Sequence, residues 1–475
     1  MPMDRRRFLL SSGTLALACL LPVPSLAKSP VPNNLRSFDL TAGLASTNLG
    51  TDRTFRVWSY NQGIPGPVIR VRTDDVLKVN FRNKLPHPST VHWHGLPVPN
   101  SMDGVPGVTQ QAVLPGDSFT YEFPCKPSGT YIYHSHQGLQ LDRGLYGALI
   151  VDDPNDSLTH DQDFVLVLED WAMVDGGGPE AGKRKPAGRM MHGGRGMMRG
   201  PGGWSGSGPL SEPVYNAYAV NGRIYPHTKP VKLKKGEKVR LRVCNASSST
   251  IYDLRLAGHS FTIVRTDGRP IKPVKAEVLR IGMGERYDLE LVADNPGNWL
   301  LGAYESGWGE SGLKLPFVYE GKEDIKPVAP SFRRGLAYPG YFDFQAAAPS
   351  TEAYQEPARW YRQVLSGGMH SPYWTINGRG YPDSEVLRAD LGQVVRLAYI
   401  NHSHMPHPMH LHGHFFKLVN PSLPPEKWIS KDTLIVDPMQ RLEVQFLADN
   451  PGDWFHHCHH LYHMEAGMAN IVRVA

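Results

Sequence analysis

The sequence predicts an all-β protein of three consecutive Greek-key β-sandwich domains, and three observations point there. Its 475 residues exceed the roughly 250 to 300 at which a single hydrophobic core stops growing, and a share of about 150 per domain gives three. Gly 48 and Pro 41 favour frequent turns between short strands, while 40% hydrophobic against 20% charged residues supplies packed cores and excludes a disordered or fibrous chain. The third observation is an internal repeat. An alternating segment ending in Asn runs from Val76 to Asn83, from Val239 to Asn245 and from Val394 to Asn401, and period-two alternation marks a half-buried strand. Each unit later turns through Gly into an aromatic strand, at Pro127-Ser128-Gly129-Thr130-Tyr131, Asn295-Pro296-Gly297-Asn298-Trp299 and Asn450-Pro451-Gly452-Asp453-Trp454. The second and third units also share Asn221-Gly222-Arg223 and Asn377-Gly378-Arg379, and their landmarks stand 155 or 156 residues apart throughout. Short strands with regular turn signals of this kind fold as sandwiches.

The chain opens with an address. Residues 1–27 carry a basic start, an apolar run from Phe8 to Leu21 and a small-residue exit at Ser25-Leu26-Ala27, the pattern of a cleaved export signal. Asp4-Arg5-Arg6-Arg7-Phe8-Leu9 resembles the twin-arginine signal, whose machinery exports folded proteins; an ordinary signal for unfolded export is the alternative. The mature chain is then extracytoplasmic, and no later apolar run approaches the roughly 20 residues of a membrane span. A formal charge of +5, part of it in the signal, does not advertise nucleic-acid binding.

After the signal come domain 1 over 28–157, domain 2 over 158–325 with a Gly- and Met-rich insertion at 173–213, a linker at 326–360 and domain 3 over 361–475. Aligning the units on their landmarks places the histidines, whose number, 21 against 4 Cys, suits neither a disulfide scaffold nor a zinc-finger array. Nine and eleven residues beyond the strand-ending Asn stand His92 and His94 in the first unit and His410 and His412 in the third, but Leu254 and Leu256 in the second. Three and five beyond the aromatic stand His134 and His136, then Gly302 and Tyr304, then His457 and His459. Eight imidazoles at equivalent places in the outer units predict one shared site between domains 1 and 3.

In a strand, residues i and i+2 face the same way, so each His-x-His presents two imidazoles to one place. Four such pairs exceed what one four-coordinate zinc can use, and they imply a multinuclear centre of an imidazole-preferring metal such as copper. Cys458, between His457 and His459, points to the opposite face, where a second metal can sit. His463 and Met468, on the turn beyond the strand, and His407, three residues before His410, offer more ligands; two His, a thiolate and a weak axial Met make the blue-copper electron-transfer set. The thiolate is covalently continuous with both neighbouring histidines.

His92-Trp93-His94-Gly95, His134-Ser135-His136, His407-Pro408-Met409-His410-Leu411-His412-Gly413 and His457-Cys458-His459 resemble the four motifs of the three-domain multicopper oxidases, which include bacterial copper-resistance oxidases and laccases. The resemblance covers essentially the whole mature chain. It implies cupredoxin-like domains and four copper ions: a type 1 copper held by His407, Cys458, His463 and Met468, a type 2 copper held by His92 and His410, and a type 3 pair held by His94, His134, His136, His412, His457 and His459. It implies a periplasmic oxidase, monomeric, that takes electrons singly from Cu(I) or from phenolic or aromatic amine reductants at the type 1 copper. The electrons pass through Cys458 and reduce dioxygen to water at the trinuclear cluster, with a role in copper tolerance. Asp103 joins Cys458 in the catalytic set, since it lies where the family places an acidic group near the cluster; the alternative is a turn Asp before Gly104. Several family members carry a carboxylate directly after the residue matching His463, whereas this chain has Met464 and then Glu465, which stays outside the catalytic set. A general laccase is one alternative. A ligand-bearing cell-envelope scaffold is another, against which the complete ligand set argues, and a copper nitrite reductase needs no type 3 ligands.

Cys19 leaves with the signal, so Cys125 and Cys244 remain either to form a bridge between the first two domains or to stay as two buried thiols. His402, His404, His414, His456 and His460 crowd the same motifs and are not expected to be ligands. In the insertion, Met190-Met191-His192 and Met197-Met198 either collect Cu(I) through soft thioethers or belong to a flexible loop, and Met369-His370 offers a lesser candidate.

Overall fold

The computed structural model describes residues 34–173, 212–305, 309–349, 356–368 and 373–475. The expected export signal, nearly all of the insertion and Met369-His370 lie outside the described residues. Strands make up almost all of the regular structure, and the one α-helix among the described residues is Leu461–Glu465. No described helix is long and apolar enough to cross a membrane.

The three cupredoxin-like units each pack two sheets. In the first, a sheet ordered Phe55–Tyr60, Leu35–Thr47, Val76–Asn83, Ser118–Pro124 accompanies one ordered Ile69–Arg72, Tyr146–Asp152, Gly129–His134, His92–His94. The second unit has seven and five strands, and the third has six and five. The sequence repeat is a repeat of topology. In every unit the Asn-ending strand runs parallel to the unit's opening strand: Val76–Asn83 beside Leu35–Thr47, Lys238–Asn245 beside Gln162–Trp171, and Val394–Asn401 beside Arg359–Ser366.

The recurring residues have one physical task each. Asn83, Asn245 and Asn401 are fully buried, and each side-chain amide donates to two backbone carbonyls: His87 and Val113, Thr250 and Ile281, Met405 and Val436. Their side-chain oxygens accept from Leu85, Ser247 and Ser403 two residues on, so each Asn ties off the strand end and the loop beyond it. Apolar residues there would leave buried carbonyls unpaired. The aromatic landmarks behave alike. Tyr131 hydroxyl donates to Pro127 at 2.9 Å, and the indoles of Trp299 and Trp454 donate to Asn295 and Asn450 at 2.8 Å, pinning each turn to its strand. Asn221 and Asn377 adopt positive φ at a hairpin and bind the backbone of the neighbouring strand at Val165 and Val167, Arg362 and Val364. Asn61 does the same in the first unit, at Asp39 and Thr41, without the Asn-Gly-Arg signature.

One apolar core fills the first unit, around Trp93, Tyr121 and Phe123; a larger one runs through the second and third, from Leu241 and Ile263 to Met409, Trp454 and Met468. A third cluster joins all three units at Leu139, Tyr146, Val167, Ala219, Phe455 and Leu461. A polar seam reinforces the contact between the first two units. There Arg242 binds Asp163 at 2.9 Å and Asp152 at 3.3 Å, and Arg70 reaches across to Asp163 at 2.7 Å.

The bridge between Cys125 and Cys244 does not form; both are free thiols without solvent exposure. Cys125 packs in the apolar core of the first unit, and Cys244 lies in the strand Lys238–Asn245 of the second. Burial pushes both thiols up to about 12, so they serve as small apolar fillers.

Candidate metal centre

Strand pairing assembles the histidines. His92–His94 pairs antiparallel with Gly129–His134, placing His92 opposite His134. In the third unit His407–Leu411 pairs with Gly452–Cys458, placing His410 opposite His457 and Met409 opposite Cys458. The two pairs of strands then meet face to face across the interface of the outer units. The ring of His92 stacks on that of His412 and His94 on His410, both at 3.8 Å between centroids. His94, His134 and His410 surround His459 with centroids at 4.8 to 5.9 Å, and His136, His412 and His457 converge on their Nε2 atoms at 3.1 and 3.4 Å. All eight are buried.

The other nitrogen of each ring shows what the site expects. Nδ1 of His92, His134, His410 and His457 is held by the carbonyls of Asp103, Ser135, Asp432 and Cys458 at 2.8 to 3.0 Å, and Nδ1 of His412 by the Asp103 carboxylate at 2.9 Å. That arrangement leaves Nε2 for the centre. His94 is reversed: its Nε2 is taken by Asp432 at 3.1 Å and its Nδ1 is free among the described residues. Nε2 of His92, His134 and His410 and both nitrogens of His459 likewise lack a hydrogen-bond partner among the described residues. An unpaired buried polar atom costs about 1 to 3 kcal/mol, and a cation that takes up their lone pairs relieves several together. Burial first, and neighbouring imidazoles second, hold His94, His134, His136, His412, His457 and His459 well below the usual histidine range, leaving them neutral, the form that binds metal.

On the opposite face of the strand Gly452–Cys458 lies a second group. Cys458 Sγ is 3.6 Å from His407 Nδ1 and 3.8 Å from His463 Nδ1, and those two nitrogens are 3.1 Å apart. Ser403 hydroxyl, 2.7 Å from His407 Nε2, turns the other side of that ring toward the sulfur. The short helix Leu461–Glu465 delivers His463. Met468 is fully buried, and its carbonyl accepts the Cys458 amide at 3.0 Å, which sets it beside the group. Burial pushes the Cys458 thiol up, so a thiolate there needs a bound cation. Trp374 lies on the His463 ring at 3.8 Å, and His460 stacks on it at 3.6 Å with rings within 5° of parallel.

Asp103 is fully buried between the two outer units. Its Oδ2 takes His412 Nδ1, while Oδ1 lies 3.2 Å from His92 Nδ1 and has no hydrogen bond among the described residues. Gly104 beyond it has φ +81, and a Cβ there would fall 1.9 Å from the Val91 carbonyl, so the turn admits only glycine and presses Asp103 against the His92 strand. Sequence reasoning had no signal for Asp432, Trp374 or Ser403. Asp432 lies 20 residues beyond His412, in a strand connection that no histidine marks. Of the crowding histidines, His456 bridges Asn470 at 2.7 Å and Tyr399 at 2.8 Å, His414 packs on Trp454, and His402 and His404 are exposed.

Three family models described as multicopper oxidase match residues 44–156, 162–314 and 356–475. The chain is 36% identical over 422 residues to the multicopper oxidase MmcO of Mycobacterium tuberculosis, covering 86% of this chain and 82% of that one. It is 28% identical to a copper resistance protein A homolog of Pseudomonas syringae pv. tomato over 92% of each. The crystal structure of a multi-copper oxidase from Pseudomonas thermotolerans matches with a TM-score of 0.71 at 26% identity, over 93% of this chain and 99% of that one.

Proposed function

The chain belongs to the multicopper oxidase family, and from that premise we propose that it is an exported four-copper enzyme that oxidises Cu(I) and small organic reductants with dioxygen, in copper tolerance. The observation that carries this is the single strand Gly452–Cys458 and the turn after it, with a sulfur-and-imidazole group on one face and an eight-imidazole cluster on the other. His407, Cys458, His463 and Met468 are assigned to a type 1 copper, His92 and His410 to a type 2, and His94, His134, His136, His412, His457 and His459 to a type 3 pair. Both groups fit: unpaired buried imidazole nitrogens suit copper, and the soft thiolate with two imidazoles suits a blue site. Copper held by these residues would supply one-electron redox chemistry between the reductant and dioxygen, whose reduction to two waters takes four electrons and four protons.

The residues do the rest. Cys458 shares its backbone with His457 and His459, so the route from its sulfur to either imidazole runs through covalent bonds. Asp103 orients His412 through one oxygen and keeps the other open for a proton bound for the cluster, of which four are consumed per dioxygen. Trp374 and His460 clamp the His463 ring from both sides and hold it toward the sulfur. The twin-arginine signal, periplasmic placement, a monomeric state and the division into 28–157, 158–325 and 361–475 with a linker at 326–360 belong to the same proposal.

Metal analysis and a spectrum test it: about four coppers per chain and an intense thiolate band near roughly 600 nm are expected, with one dioxygen consumed per four electrons. A colourless protein of irregular metal content would refute it. Relatives named copper resistance protein A support copper as a substrate, and those named laccase support organic reductants. Deleting residues 187–200 is therefore expected to lower the rate on Cu(I) and leave a phenol's rate unchanged; equal losses on both would rule out copper collection by the methionines.

A further inference from the structure

Among the described residues the middle unit gives the cluster no histidine, yet it touches it. Asp267, Glu285 and Arg286 from that unit and Lys431 and Asp432 from the third are all without solvent exposure. Arg286 binds Asp432 with both arms of its guanidinium, at 2.7 and 2.6 Å, and its Nε donates to the Thr130 carbonyl of the first unit at 3.1 Å. Lys431 binds Asp267 at 3.1 Å and Glu285 at 3.0 Å, and Asp267 accepts the Arg286 amide at 3.0 Å. One ionic knot therefore joins all three units.

Asp432 faces the histidines from this knot. Its Oδ1 is 3.1 Å from His94 Nε2 and 3.5 Å from His410 Nδ1, and its carbonyl takes His410 Nδ1 at 2.9 Å. His94 is the one imidazole of the cluster that has its Nε2 on a carboxylate and its Nδ1 left open; Asp432 Oδ1 and Thr433 Oγ1, each 3.1 Å from that Nε2, reverse it, and the Thr433 hydroxyl is itself held by Asp432 at 2.8 Å. Two glycines record how closely the middle unit approaches. A Cβ on Gly95, directly after His94, would fall 2.3 Å from Arg286 Nη2 and 2.6 Å from Asp432 Oδ2. A Cβ on Gly284 would fall 2.8 Å from the rings of His94 and His459.

We propose that Arg286 of the middle unit is a positioning residue for the trinuclear site: by holding Asp432 it fixes which nitrogen His94 presents, so that docking of the middle unit and retention of cluster copper are one event. This rests on reading the eight-histidine cluster as a copper site. Partners that orient metal-bound imidazoles change metal affinity by roughly 10- to 100-fold, and Arg286 acts through one such partner.

The test compares the parent with Arg286→Gln, Arg286→Lys and Asp432→Asn in copper per chain, the blue band and the type 2 paramagnetic signal. Arg286→Gln is expected to keep the blue band, whose ligands lie on the other face of the strand, and to lose cluster copper with the type 2 signal. Asp432→Asn should do the same, the double variant should be no worse than either single one, and Arg286→Lys should restore part of the copper. Full copper and an unchanged type 2 signal in Arg286→Gln would overturn the proposal. So would loss of the blue band together with all copper, the result of misfolding alone; melting of each protein with and without copper separates that case, since the proposal expects copper to raise the parent's midpoint more than the variant's. A parent without four coppers would sink the copper reading itself, a different outcome from a parent with four and a variant with four.

Discussion

Cys458→Ser is expected to lose the band near roughly 600 nm and to turn over below about one thousandth of the parent rate, while keeping the cluster's copper. The two faces of the strand Gly452–Cys458 explain why one substitution should separate the sites. Serine keeps the backbone, so His457 and His459 stay opposite His410 and beside His134 with their carbonyl and ring contacts unchanged. On the other face the hydroxyl is a poor ligand for copper and carries none of the thiolate's covalency. The through-bond route from sulfur to the flanking imidazoles is then cut at its first atom. A buried hydroxyl without a partner costs about 1 to 3 kcal/mol, enough to lower the melting point somewhat and far too little to account for a thousandfold loss. Metal analysis should find about three coppers in place of four. A variant that keeps the blue band, or more than about a tenth of the turnover, would show that electrons enter elsewhere.

What the sequence disclosed and what it hid divide along a physical line. Residues that recur at a fixed offset were legible, because a threefold repeat turns a weak local signal into an alignment: Asn83, Asn245 and Asn401 set the register, and the register laid His92, His94, His410 and His412 against Leu254 and Leu256. The structure brings the named histidines of the outer units into one cluster and places Cys458 with His407 and His463 behind it. Residues that matter only by approach in space were invisible. Arg286 and Asp432 are 146 positions apart and belong to different units, and nothing in their local sequence says that they meet. Gly95 could be read as part of a motif, but its reason, the Arg286 guanidinium lying where a side chain would be, needed three dimensions. Parity also misled: two cysteines left over in a chain read as exported invite a bridge, whereas Cys125 and Cys244 pack as fillers in separate units.

Asp103 should show the second largest effect, and its two oxygens allow positioning to be told from proton supply. Asp103→Asn keeps a side-chain acceptor for His412 Nδ1 at the position of Oδ2, and the backbone carbonyl that holds His92 at 2.8 Å is untouched, so the cluster should stay assembled with its copper and the blue band intact. It removes the ability to carry a proton on the other oxygen, whose place 3.2 Å from His92 Nδ1 the amide nitrogen takes. Turnover is then expected to fall by about 10²- to 10⁴-fold, the range for losing a general acid. The loss should fall on the oxygen half of the cycle: bleaching of the blue band by an excess of reductant without oxygen should proceed at the parental rate, and recovery of colour on admitting oxygen should be slow. Asp103→Glu, which can still carry a proton, should recover part of the rate. Asp103→Ala, which releases His412 as well, should also lose copper from the cluster. If Asp103→Asn turned over like the parent while Asp103→Ala lost copper, the carboxylate would be holding His412 and nothing more, and the four protons would have to arrive by another path.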